Sequence, residues 1–149
     1  MERTISEAGY GPKKLHGASL DVFRRVAEEA FRANGFPKAT VEAIRANDLS
    51  EATLTKIHDL LVTNEKSAND FILANFNQKF FTNDSDAGHF APVGAYDAVS
   101  KKVLILDPDR DWYEPYWVSE KRFVEGLNTK DSENEKYRGL LLIKLNPTN

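Results

Sequence analysis

Apolar positions recur at helical spacing near the start of the chain. Ser19 is a favourable N-cap, and Asn34 with Gly35 is typical of a helix C-terminus. The pattern therefore predicts an amphipathic helix over residues 20–33. Its apolar face comprises Leu20, Phe23, Val26, Ala27, Ala30 and Phe31.

Two further helices are predicted in the first half of the chain. One is short and covers residues 41–46. The other follows Ser50, a second candidate N-cap, and ends near Val62. Leu49 and Leu54 occupy the two positions of a hydrophobic staple around that cap.

After residue 70 the pattern changes to one that is typical of strands. A polar loop is expected over residues 75–88, and a helix over residues 119–127. Helices that precede strands favour an α+β fold with an antiparallel sheet over alternating βαβ units. The expected strands cover residues 71–74, 90–96, 102–106 and 140–145, of which the last is apolar enough to be buried on both faces.

Composition narrows the possible classes of protein. The chain has 149 residues, a length that suggests one domain. It contains no cysteine, which excludes disulfides, thiolate zinc sites and a cysteine nucleophile within these residues. A net charge of −3 with dispersed Lys and Arg argues against a nucleic-acid partner. No apolar run is long enough to span a membrane, and no signal peptide is recognisable at the first residues. A soluble, cytoplasmic protein is the default expectation.

One histidine stands out by its position. His89 begins one predicted strand and Asp107 ends the next. If Tyr96 faces Ser100 across the turn between them, the imidazole and the carboxylate meet on one side of the sheet. A carboxylate beside an imidazole fixes its tautomer and suits a general base. The alternative is a pair that only stabilises the sheet, and a bulge near Gly94 would change the register.

The segments around this pair carry a family resemblance. Residues 88–96 read GHFAPVGAY, residues 104–107 read LILD, and residues 113–118 read YEPYWV. They closely resemble the phytochelatin synthase motifs GHFSP[IV]GGY, LILD and Y-x-P-x-W-V at similar spacing. The resemblance extends from Ser19 to Leu145.

The resemblance implies a papain-like half-domain, the C-terminal part of the family's catalytic domain. Residues 1–18 would form an irregular N-terminal segment. Residues 19–149 would form the lobe, helical over 19–62 and with its sheet over 70–145.

It also implies a chemistry. Phytochelatin synthases are cysteine acyltransferases that pass the γ-Glu-Cys unit of one glutathione to another peptide, and some bacterial relatives hydrolyse glutathione. The histidine and aspartate of their Cys-His-Asp triad match His89 and Asp107. The implied substrate is glutathione or a γ-glutamyl peptide, including glutathione bound to a heavy metal. The expectation is that this chain holds no cofactor and no metal of its own. His16 and His58 lack partners at metal-ligand spacing.

The resemblance also suggests residues that bind substrate. Asp131 and Arg138 match a family segment that holds the γ-glutamyl end in bacterial relatives. A carboxylate and a guanidinium suit the α-ammonium and α-carboxylate of that group. The alternative is an ordinary surface ion pair.

Two weaker candidates complete this set. Asn75 resembles a family asparagine near the substrate, although Gln78 replaces the arginine of the family's N-x-x-R. Arg110 has the family's D-x-x-R spacing from Asp107, and it would brace the site or pair with that carboxylate.

The 149 residues contain no cysteine that could match the family's nucleophile. Ser85 is the nearest serine to His89, and no G-x-S-x-G motif exists. The chain is therefore expected to be inactive alone. It would be a half-enzyme that needs a cysteine-bearing N-terminal half, or a non-catalytic binding or assembly module. Association with such a partner or with a second copy is expected on the side of His89.

Overall fold

A computed structural model describes residues 17–145. The predicted N-terminal segment up to residue 16, His16 and the last four residues lie outside the described part. The helices and strands along the chain are α1 (Leu20–Ala33), β1 (Thr40–Arg45), α2 (Glu51–Glu65), β2 (Asp70–Asn77), a 3-10 turn (Gln78–Phe80), β3 (Gly88–Asp97), β4 (Lys102–Ile105), β5 (Tyr116–Ser119), α3 (Glu120–Leu127) and β6 (Gly139–Lys144).

All strand pairings are antiparallel, and the six strands lie in the order β1-β6-β2-β3-β4-β5. The α+β prediction is confirmed, with most of the sheet in the second half of the chain. Strand β1 comes early in the chain, and it pairs with β6 at one edge of the sheet. None of the helices among residues 17–145 is long and apolar enough to cross a membrane.

Local capping explains why the two predicted long helices form where they do. The Ser19 side chain accepts a hydrogen bond from the Val22 amide at 3.4 Å, and Ser50 accepts one from Thr53 at 3.3 Å. After α1, Gly35 has φ +89°, which a residue without Cβ adopts readily. The prediction for α1 is confirmed at both ends, whereas α2 continues three residues beyond Val62, to Glu65.

The helix predicted over residues 41–46 is wrong, because this segment is strand β1. Its side chains alternate between the two faces of the sheet. Val41 and Ala43 pack beside α1, and Ile44 packs into the core on the other face. This period of two is typical of a strand, and pairing with β6 stabilises it.

Two other assignments differ at the sheet. Residues 75–77 continue β2, so the predicted polar loop starts later than expected. The four-residue strand β5 was not predicted, and it pairs with β4 through Ile105 and Tyr116 at one end. Both segments take their structure from a neighbouring strand rather than from a local apolar run.

Strand β6 lies between two hydrophobic layers. Leu141 and Ile143 face α1, and Leu140 and Leu142 face the core beneath α2 and α3. The first five residues of β6 are buried, which confirms that this strand is covered on both faces. The sheet is therefore a rigid platform in the middle of three layers, and it carries the candidate site along β2 and β3.

Candidate active site

His89 and Asp107 are in contact in the folded chain. His89 Nε2 lies 2.9 Å from Asp107 Oδ1. The predicted register is nevertheless wrong, because Tyr96 faces Val103 and not Ser100. A bulge between Val93 and Ala95 shifts the ladder by one residue, as the sequence allowed.

The contact is diagonal and not directly across the strands. Beyond the bulge, the Leu106 amide donates to the Pro92 carbonyl at 2.9 Å. One residue further, this register places Asp107 opposite Ala91, and His89 lies two residues beyond on the same face. Diagonal neighbours are within reach of long side chains.

The Asp107 carboxylate is fully buried, with 0% of its side chain exposed. Oδ1 accepts a hydrogen bond from the Asp109 amide at 3.0 Å in addition to its contact with His89. Oδ2 accepts one from the Tyr116 hydroxyl at 3.1 Å. Three donors around a buried carboxylate offset the cost of removing its charge from water.

The His89 ring is oriented by its neighbours. The Phe76 ring meets it edge-on, with the ring centroids 5.6 Å apart. Because Nε2 contacts Asp107, the second ring nitrogen, Nδ1, is available for a reacting group. No hydrogen-bond partner of Nδ1 is present among residues 17–145. The pair thus has the arrangement of a base with its orienting carboxylate.

Arg138 lies beside this pair and is largely buried. Its Nη1 donates to the Thr129 hydroxyl at 3.1 Å and to the Lys130 carbonyl at 2.5 Å. Its Nε is buried without a partner, and no carboxylate lies within 4.0 Å of the guanidinium among the described residues. Burial lowers the pKa of Arg138, against the opposing influence of Asp131 and Asp86. A buried cation with an unused donor is suited to bind an anion.

The same cleft brings together three of the four predicted substrate residues with His89. Asn75, His89, Asp131 and Arg138 all line a cavity of about 670 Å³. Asp131 is buried, and its Oδ1 accepts a hydrogen bond from the Glu133 amide at 2.9 Å. The alternative of a surface ion pair does not describe Asp131 and Arg138, since both are buried and no contact within 4.0 Å joins their charges.

Asn75 has one satisfied and one free polar atom. Its Nδ2 donates to the His89 carbonyl at 3.3 Å, whereas its buried Oδ1 has no partner among the described residues. The two unpartnered atoms, Asn75 Oδ1 and Arg138 Nε, are an acceptor and a donor on the same cleft. Both atoms are buried, although the residues that carry them line the cleft.

Arg110 lies apart from these residues. Its guanidinium is 3.8 Å from Glu114, and its side chain is 67% exposed. It forms no contact with Asp107, so neither of the two roles expected for it has support in the geometry. His58 is also outside the cleft, where its Nδ1 lies 3.1 Å from both Glu120 Oε2 and the Tyr96 hydroxyl.

Three residues of the site were not foreseen from the sequence. Tyr116 occupies the position that Y-x-P-x-W-V leaves open, so the motif carries no signal for it. Thr129 orients Arg138 through its hydroxyl, a role that its place in the TKDS segment did not indicate. Gly88 provides space for the guanidinium, because a Cβ there would lie 2.7 Å from Arg138 Nη2. Gly88, as part of GHFAPVGAY, and Thr129, as part of the segment that resembles the family around Asp131, had a signal in the sequence.

Comparison with known proteins identifies the family that this chain resembles. The phytochelatin synthase family model matches residues 14–140, which include every residue of the cleft. Glutathione gamma-glutamylcysteinyltransferase 1 of Arabidopsis thaliana is 33% identical over 91 residues, which is 61% of this chain and 19% of that protein. The protein of that name from Lotus japonicus is 43% identical over 56 residues, covering 38% of this chain and 11% of the relative.

A fungal relative gives the same result. Glutathione gamma-glutamylcysteinyltransferase of Schizosaccharomyces pombe is 34% identical over 76 residues, or 51% of this chain and 18% of that protein. The matched part of this chain thus spans less than a fifth of the length of these relatives. Since the family model covers well over half of the 149 residues, the chain belongs to the phytochelatin synthase family.

Proposed function

We propose that this chain supplies the general base and the γ-glutamyl pocket of a glutathione γ-glutamylcysteinyltransferase site. The cysteine of that site would come from outside these 149 residues. The observation that carries the proposal is a single cleft that joins the His89–Asp107 pair to the buried Asp131 and Arg138. The pair supplies proton transfer, and the two buried charges supply substrate recognition.

The pocket matches the chemistry of a γ-glutamyl group. This group presents an α-carboxylate and an α-ammonium at one end. The guanidinium of Arg138 would donate to the α-carboxylate, and Asp131 would accept from the α-ammonium. An α-linked peptide does not carry both a free α-ammonium and a free α-carboxylate on one carbon, so the pocket would select γ-linked peptides.

The base would act through its free nitrogen. His89 Nδ1 would take the proton of a cysteine thiol, and the thiolate would attack the carbonyl carbon of the Cys–Gly peptide bond of glutathione. The C–N bond then breaks, and the imidazolium returns the proton to the leaving glycine nitrogen. The γ-Glu-Cys unit remains on the cysteine as a thioester, ready for transfer to a second peptide or to water.

The metal in this proposal belongs to the substrate. Among the described residues there is no group of three or more His, Cys, Asp or Glu side chains that could hold a metal ion. In this proposal a heavy metal enters the cleft on the thiol of glutathione, while Asp131 and Arg138 bind the γ-glutamyl end.

Measurements of binding test the γ-glutamyl pocket, and measurements of turnover test the external cysteine. The chain alone should bind glutathione in calorimetry, should not bind Cys-Gly, which lacks the γ-glutamyl group, and should release no glycine. Glycine should appear when a polypeptide that carries the family's cysteine is added. Equal binding of both peptides would refute the pocket, and glycine release by the chain alone would refute an external thiol.

Replacing Arg138 with methionine should weaken glutathione binding by about tenfold or more, because a hydrogen bond to a charged group is lost. Isothermal titration calorimetry measures the change. Arg25→Met is the matched control, since Arg25 is exposed on α1. If both variants bind glutathione as the wild type does, Arg138 does not hold the ligand.

The absence of cysteine also favours a second candidate function, a non-catalytic binding or assembly module that retains the same cleft. Such a module would bind glutathione with the same dependence on Arg138. It would differ in one result, since no cysteine-bearing polypeptide would elicit glycine release.

A further inference from the structure

The far side of the buried Asp107 carboxylate is contacted by a residue at a position that the Y-x-P-x-W-V motif leaves open. We propose that Tyr116 is a positioning residue, whose hydroxyl locks Asp107 in the orientation that keeps the His89 proton on Nε2 and leaves Nδ1 for the reacting thiol. The catalytic meaning of this role rests on the proposed function. The structural lock itself can be tested without it.

Each oxygen of the carboxylate has its own donors. Oδ1 accepts from His89 at 2.9 Å and from the Asp109 amide at 3.0 Å, and Oδ2 accepts from the Tyr116 hydroxyl at 3.1 Å. With donors on both sides, rotation of the carboxylate would break all three hydrogen bonds. Without the hydroxyl, Oδ2 would be a buried acceptor with no partner among these side chains.

The Tyr116 hydroxyl is held in place by the sheet. Tyr116 is the first residue of β5 and pairs directly with Ile105 of β4. Ile105 precedes Asp107 by two residues. The Tyr113 ring packs edge-on against its ring, with the centroids 6.0 Å apart. The strand pairing thus fixes the distance between the phenol and the carboxylate.

The phenol keeps its proton under all ordinary conditions. Burial raises the pKa of Tyr116 above its usual range, and the charge of Asp107 raises it further. The hydroxyl is therefore always a donor toward Oδ2. The other titratable and charged groups around the pair are Tyr113 and Asp84 on the side of Tyr116, and Asp86, Lys130, Asp131, Glu133 and Arg138 around the cleft.

Nitrogen NMR of the histidine rings tests the lock. The chain has three histidines, which can be labelled with 15N and assigned by substitution. In the wild type, His89 should be in a single neutral tautomer with the proton on Nε2. In Tyr116→Phe, the two tautomers should mix, and the Nε2 proton should exchange with water about tenfold faster, the ratio expected for one lost hydrogen bond to a charged group.

Three controls distinguish this role from a general effect on folding. Tyr113→Phe removes a hydroxyl that donates to Asp84 and should leave the His89 signals unchanged. The His58 signals should stay unchanged in Tyr116→Phe, because His58 contacts Glu120 and Tyr96 instead. In an Asp107→Ala background, adding Tyr116→Phe should have no further effect on His89.

Wild-type His89 signals in Tyr116→Phe would overturn the proposal, and so would equal changes at His58 and His89. Glutathione is not part of this measurement. A failure of glutathione binding would therefore contradict the proposed function and leave the lock intact, whereas unchanged tautomers would contradict only the lock.

Discussion

Alanine at position 139 should destabilise the fold by about 3 kcal/mol or more, which is a large part of the total stability of a small domain. A Cβ on Gly139 would lie 2.0 Å from the Ile44 carbonyl oxygen and 2.7 Å from the Arg45 Cα. Both are backbone atoms of the neighbouring strand, which cannot rotate away as a side chain would. The strand pair β1–β6 would have to separate at this position.

Urea unfolding followed by circular dichroism measures the loss. Gly17→Ala is the matched control, because a Cβ there meets nothing within 4 Å, and its stability should stay within about 0.5 kcal/mol of the wild type. A midpoint for Gly139→Ala equal to that of the control would contradict the close approach of β1 and β6.

Helix α1 shows which parts of the fold are predictable from local sequence. Its apolar period, the Ser19 cap and the Asn34–Gly35 end are all encoded within the segment, and all three occur in the structure. Strand β1 shows the opposite case. Its alternation covers only six residues, and the partner that makes it a strand, β6, lies almost a hundred positions later.

The contact between His89 and Asp107 was predicted with an incorrect register. The direct facing of the two residues assumed a regular hairpin, whereas Gly94 lies in a bulge where a Cβ would come within 2.8 Å of the Leu106 side chain. The pair still meets because the bulge changes a direct neighbour into a diagonal one. The two side chains are long enough to meet after such a shift. The predicted contact therefore forms although the predicted register is wrong.

Asp131 and Arg138 could be predicted only through the family motif. Their separation along the chain contains no period that would indicate a common cleft. In the turn between them, the Asp131 amide donates to the Lys136 carbonyl. This turn places Asp131 and Arg138 near the start of β6. Tyr116 could not be predicted by either route, because it matches no motif and its role depends on the pairing of β4 with β5.

His89→Ala should lower glycine release by a factor of about 10² to 10⁴ in the presence of a cysteine-bearing polypeptide, the usual contribution of a general base. Glutathione affinity should stay within about twofold of the wild type, since Asp131 and Arg138 hold the γ-glutamyl end. His89→Ala would thus lower the rate of glycine release and keep the affinity for glutathione. Arg138→Met, in contrast, would lower the affinity for glutathione.

His58→Ala is the matched control for this substitution. His58 is the other histidine of the described chain, but its ring nitrogen contacts Glu120 and the Tyr96 hydroxyl, away from the cleft. Its variant should release glycine at the wild-type rate. If His89→Ala keeps that rate as well, the base lies elsewhere. If His89→Ala loses glutathione binding together with turnover, the imidazole is part of the pocket. The two variants therefore separate proton transfer from recognition in a cleft where both kinds of group are neighbours.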